Sequence, residues 1–297
     1  MPSRSKSTKR FAVTPAYSSF LIMQIRLARA GLALIVLLVP CGRALAQTDV
    51  LIEIDRGRTE GIVNKTPVYQ RAILSKPAQA TDTALLFFRG NPGITRIRSV
   101  DDKTRNYLPF MRMNLQLFLN ENIALVLMDC PTDRWNDCPE SYRLSAEHAD
   151  DVRSVMRVLK EQHGITQFYV MGHSMGAASS RGLAKSLGSE IAGSIHSSAM
   201  NVAARNGFGV SFANFPYDAL PAPQLHIHNE NDACRSTPYA AVKAYAGANL
   251  TTVKGGTASG DPCGGGHLHS HQGREAVVVK AIIAWIRAKR VDSFIGE

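Results

Sequence analysis

The sequence holds a serine, an acid and a group of histidines, in that chain order, whose side chains could act together. Ser174 stands between two glycines, Asp232 follows an apolar run, and His267, His269 and His271 follow three consecutive glycines. A serine hydroxyl is a weak nucleophile until a histidine accepts its proton and an acid orients that histidine. These residue types therefore suggest nucleophilic chemistry, provided that the fold brings them together.

The surroundings of Ser174 indicate how the chain presents this side chain. The stretch "QFYVMG" (Gln167 to Gly172) is a run typical of a buried strand, and "MGAASSRGLAKSLG" after the serine is typical of a helix. Gly172 and Gly176 permit a sharp turn between the two, which would leave the serine oxygen projecting at the end of the strand. G-x-S-x-G is common by chance, but its position between a strand and a helix makes it informative.

Other apolar runs alternate with helical patterns along the chain. Val152, Val155, Met156 and Leu159 recur at helical spacing between a possible N-cap at Ser145 and a stop at Gly164, and a last helix is predicted near 274–289. The remaining strand candidates are Thr83 to Gly90, Ile123 to Cys130, Ile191 to Ser198 and Pro223 to Asn229. This alternation predicts an α/β fold with a mostly parallel sheet covered by helices on both faces. Residues 50–73 predict one or two antiparallel edge strands.

From about Thr83 to its end, the chain resembles the α/β-hydrolase superfamily, and Gly172-His173-Ser174-Met175-Gly176 looks like that family's nucleophile elbow. The resemblance implies a serine nucleophile, an acid and a histidine base in this chain order. Asp232 matches the family's acid position, and Glu230 is the reserve candidate. The other common acid position in this superfamily, at the end of the preceding strand, is excluded because "SIHSSAMN" has no carboxylate. His267 matches the base by its distance from the last helix, and His269 and His271 are its competitors.

The same resemblance implies two backbone donors for an oxyanion, since acyl transfer develops negative charge on the substrate's carbonyl oxygen. Met175, next to the serine, is expected to supply one of them. "RGNPG" after the first strand is similar to the family's oxyanion loop, so Asn91 is expected to supply the other. Arg89 departs from the family pattern, which has a histidine there. The H-x-H-x-H spacing also permits a metal site, but we expect no metal and no cofactor.

Four cysteines remain if Cys41 belongs to a leader: Cys130, Cys138, Cys234 and Cys263. An even number in an exported chain favours disulfides, with three possible connectivities. We favour Cys130 with Cys138, which closes a short loop, and Cys234 with Cys263, which would tie the acid's loop to the base's. Trp135, inside the first of these loops, is either a substrate contact or a packing residue.

The first 46 residues are expected to be a signal peptide, with Met23 as a possible true start. They contain basic residues, an apolar stretch from Gly31 to Pro40, and "ALA" at Ala44 to Ala46, after which cleavage is expected. The stretch is too short for a membrane anchor. The chain's net charge is +10, but residues 47–297 hold 27 basic and 24 acidic residues, so the charge does not indicate a nucleic-acid partner. A secreted or periplasmic location is expected.

The resulting hypothesis is an exported serine hydrolase with a single domain over 47–297, which cleaves small or polymeric carboxylic esters through an acyl-enzyme. The cap segment near 199–223 is short, and Phe208, Phe212, Phe215 and Tyr217 either line an acyl pocket or pack. Alternatives are an amide or peptide hydrolase with the same triad and a non-catalytic binding protein on the same fold. The oligomeric state is not indicated.

Overall fold

The computed structural model describes residues 48–202, 212 and 215–296. The predicted signal peptide and most of the short cap segment lie outside these residues. Nine strands form one sheet in the order β1-β2-β4-β3-β5-β6-β7-β8-β9, in which β1 and β2 pair antiparallel with their neighbours and the others are parallel. The strands are β1 (Thr48–Glu60), β2 (Thr66–Lys76), β3 (Thr83–Phe88), β4 (Ala124–Met128), β5 (Gln167–His173), β6 (Gly193–Ser197), β7 (Gln224–Asn229), β8 (Leu250–Val253) and β9 (Phe294–Ile295).

Eight α-helices accompany the sheet among the described residues. They are α1 (Lys103–Asn106), α2 (Pro109–Met113), α3 (Leu115–Asn120), α4 (Glu140–Arg143), α5 (Ala146–His163), α6 (Ala177–Leu187), α7 (Tyr239–Ala246) and α8 (Glu275–Ala288). The mostly parallel sheet and the antiparallel strands over residues 50–73 are as predicted. The short elements α1 to α4, α7, β8 and β9 were not predicted, because they carry too few periodic residues to be recognised.

Two apolar layers cover the two faces of the sheet. On one face, α2, α3 and α8 pack on alternate strand residues such as Leu85 and Phe87. On the other, α5 and α6 pack on the residues between them, such as Leu86 and Phe88. Burial on both faces explains why the central strands read as continuous apolar runs. It also gives the sheet a rigid frame from which its loops project.

The predicted ends of α5 are confirmed in detail. The Ser145 side chain accepts a hydrogen bond from the His148 backbone N–H at 3.2 Å, and Gly164 ends the helix with φ of +70°. A side-chain oxygen satisfies a backbone donor at the first turn, and glycine adopts the left-handed conformation without strain. Local sequence therefore determines where this helix begins and ends.

The parallel strands direct three loops to one edge of the sheet. β3 leads to Gly90 and Asn91, β5 leads to Ser174, and β7 leads to Asp232. Because carboxyl ends of parallel strands share an edge, these loops meet there. The long segment between β8 and α8, residues 254–274, supplies the histidines to the same edge.

Candidate active site

Ser174 lies on a tight turn between β5 and α6 and has a φ of +55°, in the left-handed region that non-glycine residues seldom adopt. The turn is packed closely against its neighbours. A Cβ at Gly172 would overlap the Gly176 carbonyl, and a Cβ at Gly176 would overlap the Phe88 carbonyl at the end of β3. These two glycines are therefore required by close backbone approach, which agrees with the turn expected from the sequence.

Ser174 opens onto a cleft of about 650 Å³. Its wall also includes Asn91, Met175 and His269. Ser174, the two expected oxyanion donors and one of the three candidate histidines therefore share one cavity. A Cβ at Gly90 would lie 3.0 Å from the Ser174 Cβ, which shows how closely the loop after β3 approaches the serine. Met175 lies in the 3-10 turn Ser174–Gly176, which leads directly into α6. Backbone N–H groups at the start of a helix have no intrahelical acceptor.

Asp232 accepts several hydrogen bonds at this edge, and its side chain is fully buried. One carboxylate oxygen, Oδ1, accepts the Cys234 N–H at 2.9 Å, while Oδ2 accepts the Thr237 hydroxyl at 2.8 Å and His269 Nδ1 at 2.9 Å. Burial by itself would raise the pKa of Asp232, but hydrogen bonds from His228 and His269 hold it well below its usual range. The carboxylate is thus kept ionised beside a histidine.

His269, and not His267, contacts the acid. The contact of His269 Nδ1 with Asp232 leaves Nε2 as the nitrogen that can accept a proton. His267 is also buried, but its Nδ1 has no hydrogen-bond partner in the described part of the chain, and the residue does not line the cleft. The sequence predicts His267 at Asp232, but in the structure His269, two residues later, takes that position.

The three histidines diverge, because Leu268 to Ser270 form a 3-10 turn and not an extended strand. His271 Nε2 contacts Ser197 Oγ at 2.9 Å, and the same hydroxyl lies 3.1 Å from His173 Nδ1. No group of three or more His, Cys, Asp or Glu side chains among the described residues is arranged to hold a metal ion. No hydrogen bond or ion pair among the described residues joins the reserve acid Glu230 to any of the three histidines, whereas Asp232 accepts from His269.

Sequence reasoning missed His228, which is the second histidine on the acid. Its Nε2 lies 3.1 Å from Asp232 Oδ2 and 2.9 Å from the Thr237 carbonyl oxygen. Both neighbours are acceptors, so this nitrogen carries the hydrogen and donates it. The signal was present in "HIHNEND", since His228 is the residue four before Asp232, but nothing local distinguishes it from a core histidine.

The structure joins the cysteines in the two favoured pairs, Cys130–Cys138 and Cys234–Cys263. The second disulfide joins the acid's loop to the segment that leads into the histidines, with 4.7 Å between its Cα atoms. Both of its cysteines line the cleft. It therefore ties the segment of Asp232 to the segment of His269 at the wall of the cleft.

Comparison with solved structures gives the same architecture. Est1E from Butyrivibrio proteoclasticus aligns over 74% of this chain and 94% of its own, with a TM-score of 0.51 and 16% identity. A 2,6-dihydroxy-pseudo-oxynicotine hydrolase aligns over 82% and 69%, with a TM-score of 0.53 and 15% identity. An esterase from Pyrococcus furiosus aligns over 82% and 89%, with a TM-score of 0.52 and 12% identity.

The chain has the α/β-hydrolase fold. At this level of identity the similarity establishes the fold and not the activity. No protein-family model and no curated protein matches the sequence. The roles of the site residues consequently depend on the geometry of this chain.

Two aromatic features of this α/β-hydrolase fold pack and do not line the cleft. Trp135 Nε1 donates to Asp129 Oδ2 at 3.1 Å, and the guanidinium of Arg71 lies 5.3 Å from its ring. Phe212 is buried beneath the guanidinium of Arg181, 4.3 Å from its ring centroid, and Tyr217 OH accepts a hydrogen bond from the same arginine. Phe215 packs in the same cluster, and Phe208 lies outside the described residues.

Proposed function

We propose that this protein is a serine hydrolase that cleaves carboxylic esters through an acyl-enzyme. The observation that carries the proposal is the 2.9 Å contact between the buried Asp232 and His269, a histidine that lines the same cleft as Ser174. An ionised, buried carboxylate fixes the ring and its tautomer, and so leaves Nε2 available as a base. This combination is what a serine needs to become a nucleophile.

In the proposed mechanism, Ser174 Oγ attacks the ester carbonyl while His269 Nε2 accepts its proton. Asp232 stabilises the imidazolium that forms, and the backbone N–H groups of Met175 and Asn91 stabilise the oxyanion. His269 then donates its proton to the leaving alcohol. Water, activated by the same histidine, cleaves the acyl-enzyme and restores the serine.

The decisive experiment is labelling with a fluorophosphonate, which reacts covalently with activated serines. We expect the chain from Gln47 onward to be labelled, and Ser174→Ala to lose all labelling. Ser145→Ala, at the N-cap of α5, serves as the matched serine control and should still be labelled. Absence of Ser174-dependent labelling would favour a non-catalytic binding protein on this fold.

Labelling alone does not separate esters from amides, because both use the same triad. Nitrophenyl esters of increasing acyl length, compared with the matching nitroanilides, would give the preference. We expect hydrolysis of the esters and a kcat/KM for the anilides at least about a hundredfold lower, since the alcohol is the better leaving group. A protein that cleaves both equally would be an amide hydrolase.

We also propose that the protein is exported, by a leader that is removed after Ala46. Two disulfides in the described part of the chain suit an oxidising compartment. No helix described there has the length and apolar character needed to cross a bilayer. Expression of the full chain followed by N-terminal mass spectrometry is expected to give a mature protein that begins at Gln47. An unprocessed chain recovered from the cytoplasm would refute export.

A further inference from the structure

Residues 89–112, called the basic segment below, carry a local excess of positive charge. This segment contains six basic and two acidic residues, a net charge of +4, whereas residues 47–297 as a whole hold 27 basic and 24 acidic residues. The rest of that region is therefore close to neutral. The basic residues of the segment are Arg89, Arg96, Arg98, Lys103, Arg105 and Arg112.

The basic segment forms part of the cleft wall. Arg89, Arg105 and Arg112 line the same cavity as Ser174 and His269. Arg89 directly precedes Gly90, the residue whose added Cβ would lie 3.0 Å from the Ser174 Cβ. Arg89 therefore adds a cation to the wall of the cavity that holds the proposed nucleophile.

Arg89 has no carboxylate partner among the described residues. Its Nη1 donates to Asn106 Oδ1 at 3.1 Å, while its Nε is buried without a hydrogen-bond partner. Burial lowers the pKa of Arg89, and the charge of Asp129 offsets this only in part. A partly buried guanidinium without a carboxylate partner is costly, and an anion in the cleft that Arg89 lines would supply the opposite charge that it lacks.

The two other arginines differ in how free they are to bind an anion. Arg105 forms an ion pair with Asp102. Arg112 is exposed, donates from Nη1 to the Thr104 carbonyl at 3.0 Å, and makes no ion pair with a described residue. Glu140 and Asp261 also line the cleft, but they belong to other segments. Arg89 and Arg112 are therefore the cleft-lining arginines that make no ion pair with a described residue.

We propose that this site selects esters whose acyl or alcohol part carries a carboxylate or phosphate group, with Arg89 as the anchor and Arg112 as a second cation. A guanidinium presents a planar fork of donors that matches the oxygens of either group. This inference rests on the proposed ester hydrolysis and adds the substrate class. It assigns a role to Arg89, which occupies the position where the superfamily that this sequence resembles has a histidine.

The first test compares two substrates that differ by one charge. These are the 4-nitrophenyl monoester of glutaric acid, which keeps a free carboxylate, and the methyl ester of that compound. We expect kcat/KM to favour the anionic substrate by about tenfold or more, the usual effect of one charged hydrogen bond. Arg89→Gln should bring the ratio close to one, and Arg112→Gln should lower it several-fold. The ratio cancels any loss common to both substrates.

Matched controls separate a local contact from a general charge effect. Arg157→Gln removes an exposed arginine of α5 that does not line the cleft, and the ratio should not change. Arg89→Lys keeps the charge without the fork, so an intermediate ratio is expected. A wild-type ratio near one, or a ratio that Arg89→Gln leaves unchanged, overturns the inference.

The second test measures binding without catalysis. Ser174→Ala is titrated by calorimetry with monoethyl glutarate and with monoethyl phosphate, which tells whether carboxylate or phosphate binds more tightly. Binding should weaken with added salt and fall about tenfold or more when Arg89→Gln is combined with Ser174→Ala. Equal binding by both variants contradicts the inference.

The two proposals can fail separately. If Ser174 is labelled by the fluorophosphonate but the substrate ratio is near one, ester hydrolysis stands and anion selection is wrong. If labelling fails while Ser174→Ala binds both anions through Arg89, the ligand chemistry stands and the hydrolase proposal is wrong.

Discussion

At the scale of single residues, Asp232 organises the site, because its carboxylate gathers two histidines, a threonine hydroxyl and a backbone N–H. A carboxylate with this many donors stays ionised and cannot rotate. His269 consequently has one orientation, with Nδ1 toward the acid. His228 shares the same oxygen as His269, so it positions the carboxylate and does not contact the cleft.

The assignment of the base is tested by two variants that differ by two positions. His269→Ala should lower kcat for a nitrophenyl ester at least about a thousandfold, because the proton acceptor is lost. His267→Ala removes a buried ring that lacks contact with Asp232, so kcat should fall by less than about tenfold. Steady-state kinetics on both proteins, after circular dichroism has shown that they fold, decide the matter. The opposite ranking would restore His267 as the base.

At the scale of elements, the two disulfides lie in different surroundings, since Cys234 and Cys263 line the cleft with Ser174, whereas Cys130–Cys138 closes the loop after β4. Asp129 links the Cys130–Cys138 loop to the loop after β3, because its carboxylate accepts Trp135 Nε1–H at 3.1 Å and the backbone N–H groups of Thr95 and Ile97 at 2.8 Å each. The guanidinium of Arg143 is fully buried behind this region, where it donates to the Cys138 carbonyl and leaves no room for a Cβ at Gly93. Polar contacts from Asp129 and the packing of Arg143 therefore fix the position of the loop after β3.

The Cys234–Cys263 disulfide should matter more for activity than the Cys130–Cys138 disulfide. It spans 29 residues and joins the acid's loop to the histidine segment, whereas Cys130–Cys138 spans 8. The variant with Cys234→Ser and Cys263→Ser is expected to lose about 2–4 kcal/mol of stability and to lower kcat/KM. Thermal unfolding and ester kinetics measure the two effects.

The variant with Cys130→Ser and Cys138→Ser is the matched control for that loss. It should also lower the Tm, but by less, because it closes a shorter loop. Its kcat/KM is expected to exceed that of the first variant by about tenfold. Equal activity of the two variants would mean that the longer disulfide does not keep the acid and base in register.

At the scale of the whole molecule, buried histidines make stability depend on pH. Burial is the main cause that lowers the pKa of His148, His226 and His271 to about 3, and it holds the pKa of His173 and His196 well below the usual value. An unfolded histidine has a pKa near 6.5. Between these two values the unfolded chain binds more protons than the folded one, so stability falls as pH falls.

Urea unfolding at a series of pH values should show this dependence. We expect full histidine-linked stability above about pH 7 and a steep loss between about pH 6.5 and pH 3. Each such histidine contributes about 2 kcal/mol to the loss between pH 7 and pH 5, if its pKa moves from about 6.5 to about 3. A stability that is constant over this range would contradict the burial of neutral rings.

His148 offers a single-site version of the same experiment. Its ring contacts Phe88 and Tyr142, and neither nitrogen has a hydrogen-bond partner among the described residues. His148→Leu should reduce the loss of stability at low pH by the contribution of one histidine. It should therefore stabilise the protein more at pH 5 than at pH 8. Identical pH profiles for the two proteins would exclude His148 as a contributor.

The sequence by itself determined the features that depend on neighbouring residues. Gly172 and Gly176 predicted the turn at Ser174, the apolar periodicity predicted α5 and the central strands, and close spacing favoured the Cys130–Cys138 pair that the structure forms. These follow from local sterics and from short-range patterns of burial, which a linear sequence records. The resemblance to a known superfamily added the chain order of the proposed triad.

Only the tertiary structure decided which histidine meets the acid. Residues 254–274 have no helical or strand period, and their path depends on contacts between distant residues, such as Thr257 N–H to the Gln272 carbonyl and Ser259 N–H to the Gly266 carbonyl. A 3-10 turn at Leu268 to Ser270 then points His269 at Asp232. The same is true of His228 and Arg89, since their surroundings come from segments far apart in the sequence.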